Sequence, residues 1–454
     1  MSTAKHISGR TPVSQVVCPG DEGIVGEGSA TPPRSGLSGR SEWVRGTLDR
    51  AVVTLVLGWL LASLSRGASA WAAELTFSSK TLDPKAGEVV YAVIAADVDG
   101  DRRPDVVAVT ENRVVWYQNP DWTPRVIVAD QVERDHVCIA PLDLDGDGQL
   151  EFALGAGWLN NRHLGSLYWL KRRESLDQPW QAHRLGEESW THRIRFGDLL
   201  GTGTPQLVVS PLNKSVATGA RLLAFQVPSR ESLKNPWQAT PIDTSLNAIH
   251  AHWVGDLDGD QHSDMVTASQ EGVHWFRRGT GGQFSKTLIS RGLPGDPPTA
   301  QKTGAGEIRP GRLRDGRRIL ATVEPMHGTH VVLYISPAGF PVGESLSGTW
   351  QRVVLDDSLV RGHAIWPADL DGDGQDEIVV GHSDKGTGTQ PGPGVFVYRG
   401  DETGQTWVKQ AVDAGGIACE DLVVEDFTGD GRPDIAAGGR ATHNVRLYIN
   451  GGKQ

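Results

Sequence analysis

One nine-residue pattern, rich in aspartate and glycine, recurs along the chain and constrains its fold more than any other feature. The first copy is Asp97-Val-Asp-Gly-Asp-Arg-Arg-Pro-Asp105, and four further strong copies begin at positions 143, 256, 369 and 426. Two weaker copies begin at Asp198 and Arg312, and most spacings between successive starts are 55–58 residues. A fixed period of this length indicates a repeat protein, here with seven units.

The same strand signals surround the pattern in every unit. An apolar stretch precedes it, and a β-branched run follows it. An aromatic residue then marks a third strand at Tyr117, Trp169, Phe225, Phe276, Tyr334, Tyr398 and Tyr448. A fourth strand is led by Trp122, Trp180, Trp237, Phe284, Trp350 and Trp407. Four short strands in each of seven units predict an all-β fold, a seven-bladed β-propeller of four-stranded blades.

The two ends of the repeat region complement each other. The segment Leu75–Asp83 aligns with the fourth strand of the other units, whereas the last unit ends at its third strand, 445–450. We therefore expect the N-terminal strand to complete the last blade, which closes the ring and removes two exposed sheet edges. On this reading residues 73–454 form a single propeller domain.

Residues 1–72 are predicted to lie outside the propeller. Residues 1–50 have no apolar period, and the apolar run 51–62 follows Arg45 and Arg50. Small residues at 68–72 then offer signal-peptidase sites. This order predicts a signal peptide and a secreted, periplasmic or cell-surface protein. The alternative is an uncleaved membrane anchor, although the run is shorter than the roughly 20 residues of a membrane span.

The acidic charge of the chain is explained by the repeated loops. The chain has 55 acidic and 44 basic residues and a net charge of −11, which argues against a nucleic-acid partner. The sequence has no glycine-rich phosphate-binding loop, so it gives no indication of nucleotide binding. Only Cys138 and Cys419 lie beyond the predicted signal, each in an apolar run, and we expect buried free thiols. The five strong loops alone hold 19 carboxylates at positions 1, 3, 5 and 9.

Carboxylates at positions 1, 3, 5 and 9 of a loop, with glycine at position 4, supply the many hard oxygen ligands that Ca²⁺ prefers. We predict about five structural calcium ions and none at the weak copies that begin at Asp198 and Arg312; the alternative is a plain Asp-Gly turn with solvated acids. The predicted ligands are Asp97, Asp99, Asp101, Asp105, Asp143, Asp145, Asp147, Glu151, Asp256, Asp258, Asp260, Asp264, Asp369, Asp371, Asp373, Glu377, Asp426, Asp430 and Asp434.

These loops, each followed by an Ile/Val run, resemble the FG-GAP/VCBS repeats of calcium-binding propellers such as those of integrin α chains. The resemblance covers residues 75–450 and implies a calcium-stabilised propeller. It does not imply one function, because this fold hosts adhesion, lectin and enzyme activities alike.

A second set of residues recurs six positions before the loops. Its members are Tyr91, His192, His250, His363 and Glu420, with His136 seven positions before its loop. In a propeller they would begin the innermost strands and converge at one mouth of the central channel. Neutral imidazoles there predict a site for Zn²⁺ or another transition metal, or an acid–base site. The alternative is that these histidines only satisfy hydrogen bonds at the strand ends.

We expect His192, His250 and His363 to act as ligands or bases, with Arg193, His252 and His327 in support and Glu307 or Glu420 as a carboxylate partner. The segments Glu324-Pro-Met-His-Gly328, Gly362-His-Ala364 and His250-Ala-His-Trp253 are similar to the propeller domain of aldos-2-ulose dehydratases. That resemblance implies action on keto-sugars.

Two functional hypotheses follow for a chain predicted to be monomeric. The first is a metal-dependent carbohydrate lyase or dehydratase with its site at the channel mouth. The second is a non-catalytic module that binds glycans or proteins at that face. The second hypothesis predicts that exposed aromatic residues matter more than the histidines, and its candidates are Trp158, Trp190, Trp253 and Trp366.

Overall fold

Seven four-stranded antiparallel sheets make up the fold. The computed structural model describes residues 74–159, 163–279, 281–295, 302–340, 350–384 and 392–453, so the predicted signal peptide lies outside the described residues. In these ranges the one regular helix is a single 3₁₀ turn, Arg230–Ser232, and no helix is long and apolar enough to cross a membrane. The predicted all-β class is confirmed.

The 28 strands found in the described ranges are numbered in chain order. Blade 1 comprises β2 Val90–Ala96, β3 Asp105–Thr110, β4 Arg113–Gln118 and β5 Thr123–Ala129. Blade 2 comprises β6 Cys138–Leu142, β7 Glu151–Ala156, β8 Ser166–Lys171 and β9 Gln181–Glu187. Blade 3 comprises β10 Thr191–Gly197, β11 Gln206–Pro211, β12 Ala220–Gln226 and β13 Ala239–Leu246.

Blade 4 comprises β14 Ile249–Gly255, β15 Asp264–Ser269, β16 Gly272–Arg278 and β17 Phe284–Ser290. Blade 5 comprises β18 Ile308–Arg312, β19 Arg318–Glu324, β20 His330–Ile335 and β21 Gln351–Asp356. Blade 6 comprises β22 Gly362–Ala368, β23 Glu377–His382, β24 Gly394–Gly400 and β25 Trp407–Ala414. Blade 7 comprises β26 Cys419–Glu425, β27 Asp434–Gly439, β28 Val445–Lys453 and β1 Leu75–Asp83.

The first strands of the blades form a closed inner ring. Strands β2, β6, β10, β14, β18, β22 and β26 each contact the next one, and β26 contacts β2. The N-terminal strand β1 pairs with β28 along its length, from Leu75 opposite Lys453 to Asp83 opposite Val445. The predicted seven-bladed propeller, and its closure by the N-terminal strand, are confirmed.

The core lies between neighbouring blades. Because each sheet is covered on both faces, a middle strand such as β3 is buried at every position instead of alternating. Trp116, Phe152 and Trp180 pack together between blades 1 and 2. Cys138 and Cys419 are buried free thiols, in agreement with the sequence prediction.

The chain turns at two opposite faces of the ring. The Asp-Gly loops join the first and second strands of the blades on what we call the loop face. The inner strands begin on the opposite face, which we call the site face. Connections between second and third strands lie on the site face as well, and they include the β19–β20 turn that carries His327.

Candidate functional site

The inner strands are irregular at the position where the histidines recur. In blades 1, 3, 4, 6 and 7 the pairing register skips one residue at the start of the strand. The skipped residues are Tyr91, His192, His250, His363 and Glu420. A β-bulge of this kind inserts one extra residue into the strand and re-aims its side chain. The sequence repeat at this position is therefore a repeat of bulges.

The two blades without this bulge explain the exceptions in the sequence. In blade 2, β6 pairs regularly from Cys138 onward, and His136 lies before the strand with its backbone N–H donated to the Glu111 carbonyl. In blade 5, β18 pairs regularly from Ile308, and Glu307 precedes it. The one-residue offset of His136 thus reflects a missing bulge, and burial lowers the pKa of this imidazole to about 4.

Three imidazoles meet at the site face. Each of His250, His327 and His363 offers a ring nitrogen, and these three atoms lie within 4.8 Å of one another. The Nε2 atoms of His250 and His327 are 2.9 Å apart, and the rings of His327 and His363 are stacked with centroids 4.7 Å apart. His327 reaches the group from the β19–β20 turn, where its φ is 54°. We call these three residues the His cluster.

The imidazoles of the His cluster are neutral at physiological pH. Burial, together with repulsion from the neighbouring imidazoles and from Arg361, holds the pKa values of His327 and His363 well below the usual 6.5. Burial also lowers the pKa of His250, although Glu307 opposes that effect. A neutral imidazole keeps a lone pair for a metal ion.

Two carboxylates flank the His cluster. Glu307 Oε1 lies 3.0 Å from His250 Nδ1 and 2.9 Å from a terminal nitrogen of Arg193. Burial raises the pKa of Glu307, but Arg193 and the hydrogen bond from His250 outweigh burial and hold that pKa at about 2. On the other side, Glu420 Oε1 lies 3.4 Å from His363 Nε2 and 2.6 Å from Arg440.

His192 lies beside the His cluster and not within it. Its ring centroid is 4.7 Å from that of His250, and its Nδ1 donates to the His250 carbonyl at 2.9 Å. This hydrogen bond leaves Nε2 as the basic atom of the ring. Burial and the adjacent Arg193 guanidinium hold the pKa of His192 well below its usual value. The sequence paired His192 with His250 and His363, whereas the geometry groups His327 with them.

His252 occupies a different environment. Its Nδ1 is 2.8 Å from Ser210 Oγ, and its carbonyl accepts a hydrogen bond from Arg195 Nε at 2.9 Å. The ring is fully buried, and burial, with repulsion from Arg195, holds its pKa well below 6.5. His252 thus supports the wall between blades 3 and 4.

The aromatic candidates of the binding-module hypothesis are mostly covered. Trp158 and Trp190 are buried, with 3% and 9% of their surfaces exposed. Trp158 packs edge-on against His192 with ring centroids 5.4 Å apart, and Trp190 stacks on His163. Trp253 and Trp366 are partly buried. Trp158 and Trp190 therefore form no exposed aromatic platform.

The channel beneath the His cluster contains charges that sequence reasoning missed. A cavity of about 240 Å³ is lined by residues that include Arg193, Arg195, Glu307, Arg309 and Asp421. Burial lowers the pKa of Arg309 to about 9, with a contribution from Arg195, and burial raises that of Asp421 to about 6. The sequence did contain a sign of these charges, because Arg195 and Arg309 occupy the same repeat position, three residues before the loop of their repeat.

The five strong Asp-Gly loops share one hydrogen-bond pattern. The first Asp accepts backbone N–H groups from later in the loop, as Asp97 does from Gly100 and Arg102. The ninth-position acid turns back and accepts the N–H of position two, as Asp105 does from Val98 at 3.0 Å. Four loops bring three carboxylates within 4.8 Å of one another, namely those that begin at 97, 143, 256 and 369.

Four of the five ninth-position acids are buried and form no ion pair with a described residue. Burial and neighbouring carboxylates raise the pKa values of Asp105 and Asp264 to about 7 and of Glu377 to about 8. The pKa of Asp434 rises to about 6 for the same reasons. Several carboxylates around one point, with buried members, fit a divalent cation with hard oxygen ligands. This donor set would hold Ca²⁺.

Four of these loops also contact a cation of the protein itself. Lys171, at the end of β8, places its ammonium 2.6 Å from Asp145, 3.0 Å from Asp147 and 2.7 Å from Glu151. Arg277, near the end of β16, lies 3.0 Å from Asp258 and 3.1 Å from Asp260. The corresponding residue of blade 1, Gln118, is uncharged and donates to Asp99 at 2.6 Å. In the loop at 369 Lys453 Nζ lies 2.7 Å from Asp371, and in the loop at 426 Arg432 pairs with Asp430.

The two weak loops are closed by hydrogen bonds instead. In blade 3 the Gln206 amide donates to Asp198 and to Thr202 Oγ1 at 3.2 and 2.9 Å. In blade 5 Arg314 reaches Asp373 of the neighbouring loop. Amide and guanidinium groups thus stand where the strong loops have acids.

Comparison with known proteins finds two family models. The model described as aldos-2-ulose dehydratase, beta-propeller domain, matches residues 164–337, and the FG-GAP-like repeat model matches residues 97–154 and 369–437. Both resemblances stated from the sequence are confirmed. The first segment contains His192, His250 and His327 but not His363.

A curated relative and solved structures extend the comparison. The chain is 28% identical over 277 residues to aldos-2-ulose dehydratase of Phanerodontia chrysosporium, covering 56% of this chain and 30% of that protein. It therefore spans about a third of its relative. The BBS1N structure in complex with ARL6DN aligns with a TM-score of 0.50 at 13% identity over 83% of this chain and 97% of that one, which supports the fold alone. The extracellular domain of BT4673 from B. thetaiotaomicron aligns over 82% of this chain and 39% of that one, with a TM-score of 0.47 and 13% identity.

Proposed function

We propose that this propeller is a metal-dependent carbohydrate lyase or dehydratase with its active site at the His cluster. The observation that supports the proposal most directly is the convergence of three neutral imidazole nitrogens, from His250, His327 and His363, within 4.8 Å of one another. The relative named aldos-2-ulose dehydratase supports the substrate class, because the segment that matches its propeller domain includes His192, His250 and His327.

The His cluster has the donor set of a catalytic zinc site. Catalytic Zn²⁺ takes three protein ligands, commonly histidines, and keeps one position open. His363 Nδ1 is buried and makes no hydrogen bond to any described residue, so it can serve as a ligand. Glu307 on His250 and Glu420 on His363 would orient the rings as second-layer partners. His250, His327 and His363 would therefore hold the ion.

A metal bound there would polarise the carbonyl of a keto-sugar. The residues of the chain then supply the proton chemistry. His192 Nε2 would remove the proton from the carbon next to the carbonyl, because its Nδ1 is fixed by the His250 carbonyl. The protonated His192 would return this proton to the hydroxyl on the following carbon, which leaves as water while a carbon–carbon double bond forms between the two carbons. Burial, together with Arg193 at 3.3 Å from the His192 ring, lowers the pKa of His192 and so keeps this base unprotonated.

Metal analysis and substrate turnover test this proposal together. The full chain, treated with a calcium-selective chelator and exchanged into metal-free buffer, should retain about one transition-metal ion, as in other three-histidine sites. His363→Ala should lose this ion and the ultraviolet signal of an unsaturated product from a 2-keto-aldose. His192→Ala should lose the product signal but keep the ion.

The matched control is His183→Ala, which removes a histidine on the outer strand β9 that stacks on Trp169. It should retain both the ion and the activity. A wild-type chain without bound Zn, Fe, Mn or Ni, or a His363→Ala variant with unchanged turnover, would show that the His cluster is not the catalytic centre.

We further propose that Ca²⁺ binds the Asp-Gly loops in a structural role and that the chain is exported. The buried ninth-position acids support calcium, since an ion would neutralise them. The apolar run at 51–62 supports export. Counting calcium by atomic absorption and sequencing the N-terminus of the secreted chain test these two points.

A further inference from the structure

The residues that line the channel below the His cluster form two layers. Arg193, Glu307 and Asp421 each stand five positions before the start of their loop and make the upper layer. Arg195 and Arg309 stand three positions before it and make the lower layer. Alternate residues of a strand share one face, so the layers are stacked along the channel.

The upper layer holds one guanidinium group and two carboxylates, and each carboxylate is engaged by other parts of the chain. Arg193 donates to Glu307 at 2.9 Å, and Glu307 also faces His250. Asp421 Oδ2 accepts the backbone N–H of Val93 at 2.9 Å. These carboxylates are therefore engaged toward the His cluster and the wall of blade 1.

The lower layer has cations and no carboxylate. Arg195 uses Nε to bond the His252 carbonyl, and its terminal nitrogens make no hydrogen bond to a described residue. Arg309 lies over the Trp366 ring at 4.1 Å and donates no hydrogen bond within the described part of the chain. The two guanidinium groups lie close enough to repel each other.

The charges of the enclosed part of the cavity do not cancel. Three guanidinium groups face two carboxylates there, because the remaining acid in the lining, Glu425, is solvent-exposed at the end of β26. A buried cation without a counter-charge is costly, whereas a guanidinium fork matches carboxylate and phosphate oxygens well. The lower layer thus offers several N–H donors and a flat aromatic wall, in a cavity whose enclosed charges sum to one net positive charge.

We propose that the lower layer of the channel binds a small anion between Arg195 and Arg309, either a halide or the carboxylate or phosphate group of a small molecule. Trp366 forms one wall of the site and, with Ile94 and Val423, limits the occupant to a few heavy atoms. The site is separate from the His cluster and does not depend on the proposed catalytic function.

Thermal unfolding of the full chain at constant ionic strength tests the proposal. Protein treated with chelator and held in buffer whose only anion is a bulky sulfonate is titrated separately with chloride, acetate and phosphate. Ligand that binds only the native state raises Tm along a saturating curve, and we expect such a curve, reaching several degrees, for at least one anion. The anion that half-saturates the Tm response at the lowest concentration shows whether the site prefers a halide, a carboxylate or a phosphate.

The double variant Arg195→Gln/Arg309→Gln should lose the saturating response. In the sulfonate buffer without added anion, the Tm of the double variant should equal or exceed that of the wild type, since the repulsion between the two guanidinium groups is gone. The control Arg173→Gln removes an exposed arginine, whose Nε bonds the Pro179 carbonyl, and should keep the response. His363→Ala should also keep it, which separates this site from the metal site.

A second measurement covers the case in which the double variant does not fold. Arg309→Lys keeps the charge but loses the planar fork, and we expect its half-saturation to rise about tenfold. In the wild type, binding of chloride should broaden the ³⁵Cl resonance. Addition of the preferred anion should then displace the chloride and narrow the resonance. A wild-type response that is absent or linear, or an equal response in either Arg variant, would overturn the proposal.

Discussion

Lys171 provides the sharpest test of how the Asp-Gly loops are neutralised. Its ammonium lies within 3.0 Å of Asp145, Asp147 and Glu151, which are three of the four predicted calcium ligands of the loop at 143. A calcium ion bound by the same oxygens would have to displace it. Lys171→Met removes the charge and keeps the unbranched stem, so calcium affinity at this loop should rise.

The size of the gain follows from the contacts that the ammonium gives up. Charge-assisted hydrogen bonds contribute more than neutral ones, but the Lys171 side chain is 22% exposed and regains water when it leaves. A net cost of about 1–3 kcal/mol for displacement corresponds to roughly a 5- to 150-fold gain in affinity for the variant. Removal of one positive charge also lowers repulsion of the incoming ion.

Calorimetric titration of chelator-treated protein with Ca²⁺ measures this gain. We expect Lys171→Met to add one tight site to the wild-type isotherm. Lys286→Met is the matched control, because Lys286 pairs with Asp243 on the outer edge of blade 3 and touches no Asp-Gly loop. An unchanged number of tight sites in Lys171→Met would refute the idea that the resident ammonium competes with calcium.

Four further outcomes are expected. Arg277→Met should strengthen calcium binding at the loop at 256, read out by the same titration, and an unaltered isotherm would contradict this. Calcium-free protein should lose stability as pH rises from about 4.5 toward 8, because the pKa of Glu377 is raised to about 8 in the folded chain and the folded state is penalised once this proton is lost. Urea unfolding should show this loss without calcium and the reverse trend with calcium. A calcium-free stability that increases over this pH window would contradict the prediction. Trp180→Ala should lower the free energy of unfolding by about 3–5 kcal/mol in urea titrations, since Trp180 is fully buried between two blades; a loss below about 1 kcal/mol would contradict the packing. Zinc should stay bound below the usual imidazole pKa of 6.5, because the pKa of His363 is held well below that value; half-release of zinc above pH 6.5 in dialysis would argue against three neutral imidazole ligands.

The fold was predictable because the repeat fixes it several times over. Each of seven units supplies the same loop, aromatic strand and final strand, so an irregular unit such as that at Arg312 could be placed by its neighbours. Ring closure followed from arithmetic, since one unit lacked a strand that the N-terminus could supply. Evidence repeated along the chain compensates for weak signals in any single unit.

The site was only partly predictable because its geometry depends on exceptions to the strand pattern. The sequence identified the recurring position of His192, His250 and His363, but a regular strand cannot show that this position is a bulge. His327 joins the His cluster from a turn, where no period applies. The roles of Lys171 and Arg309 depend on which strands lie side by side, and that information exists only after the blades are assembled.

Closure of the ring by β1 also has a consequence for how the chain is made. Strand β1 is synthesised first, yet its partner β28 is synthesised last, since Leu75 pairs with Lys453. The first strand must therefore wait, unpaired, until almost the whole chain has emerged, and a contact so distant in sequence slows folding. A truncated product that lacks β28 would lose two strands of blade 7 and expose the edge of β27. Completion of the propeller therefore requires that the strands of all seven blades have been synthesised.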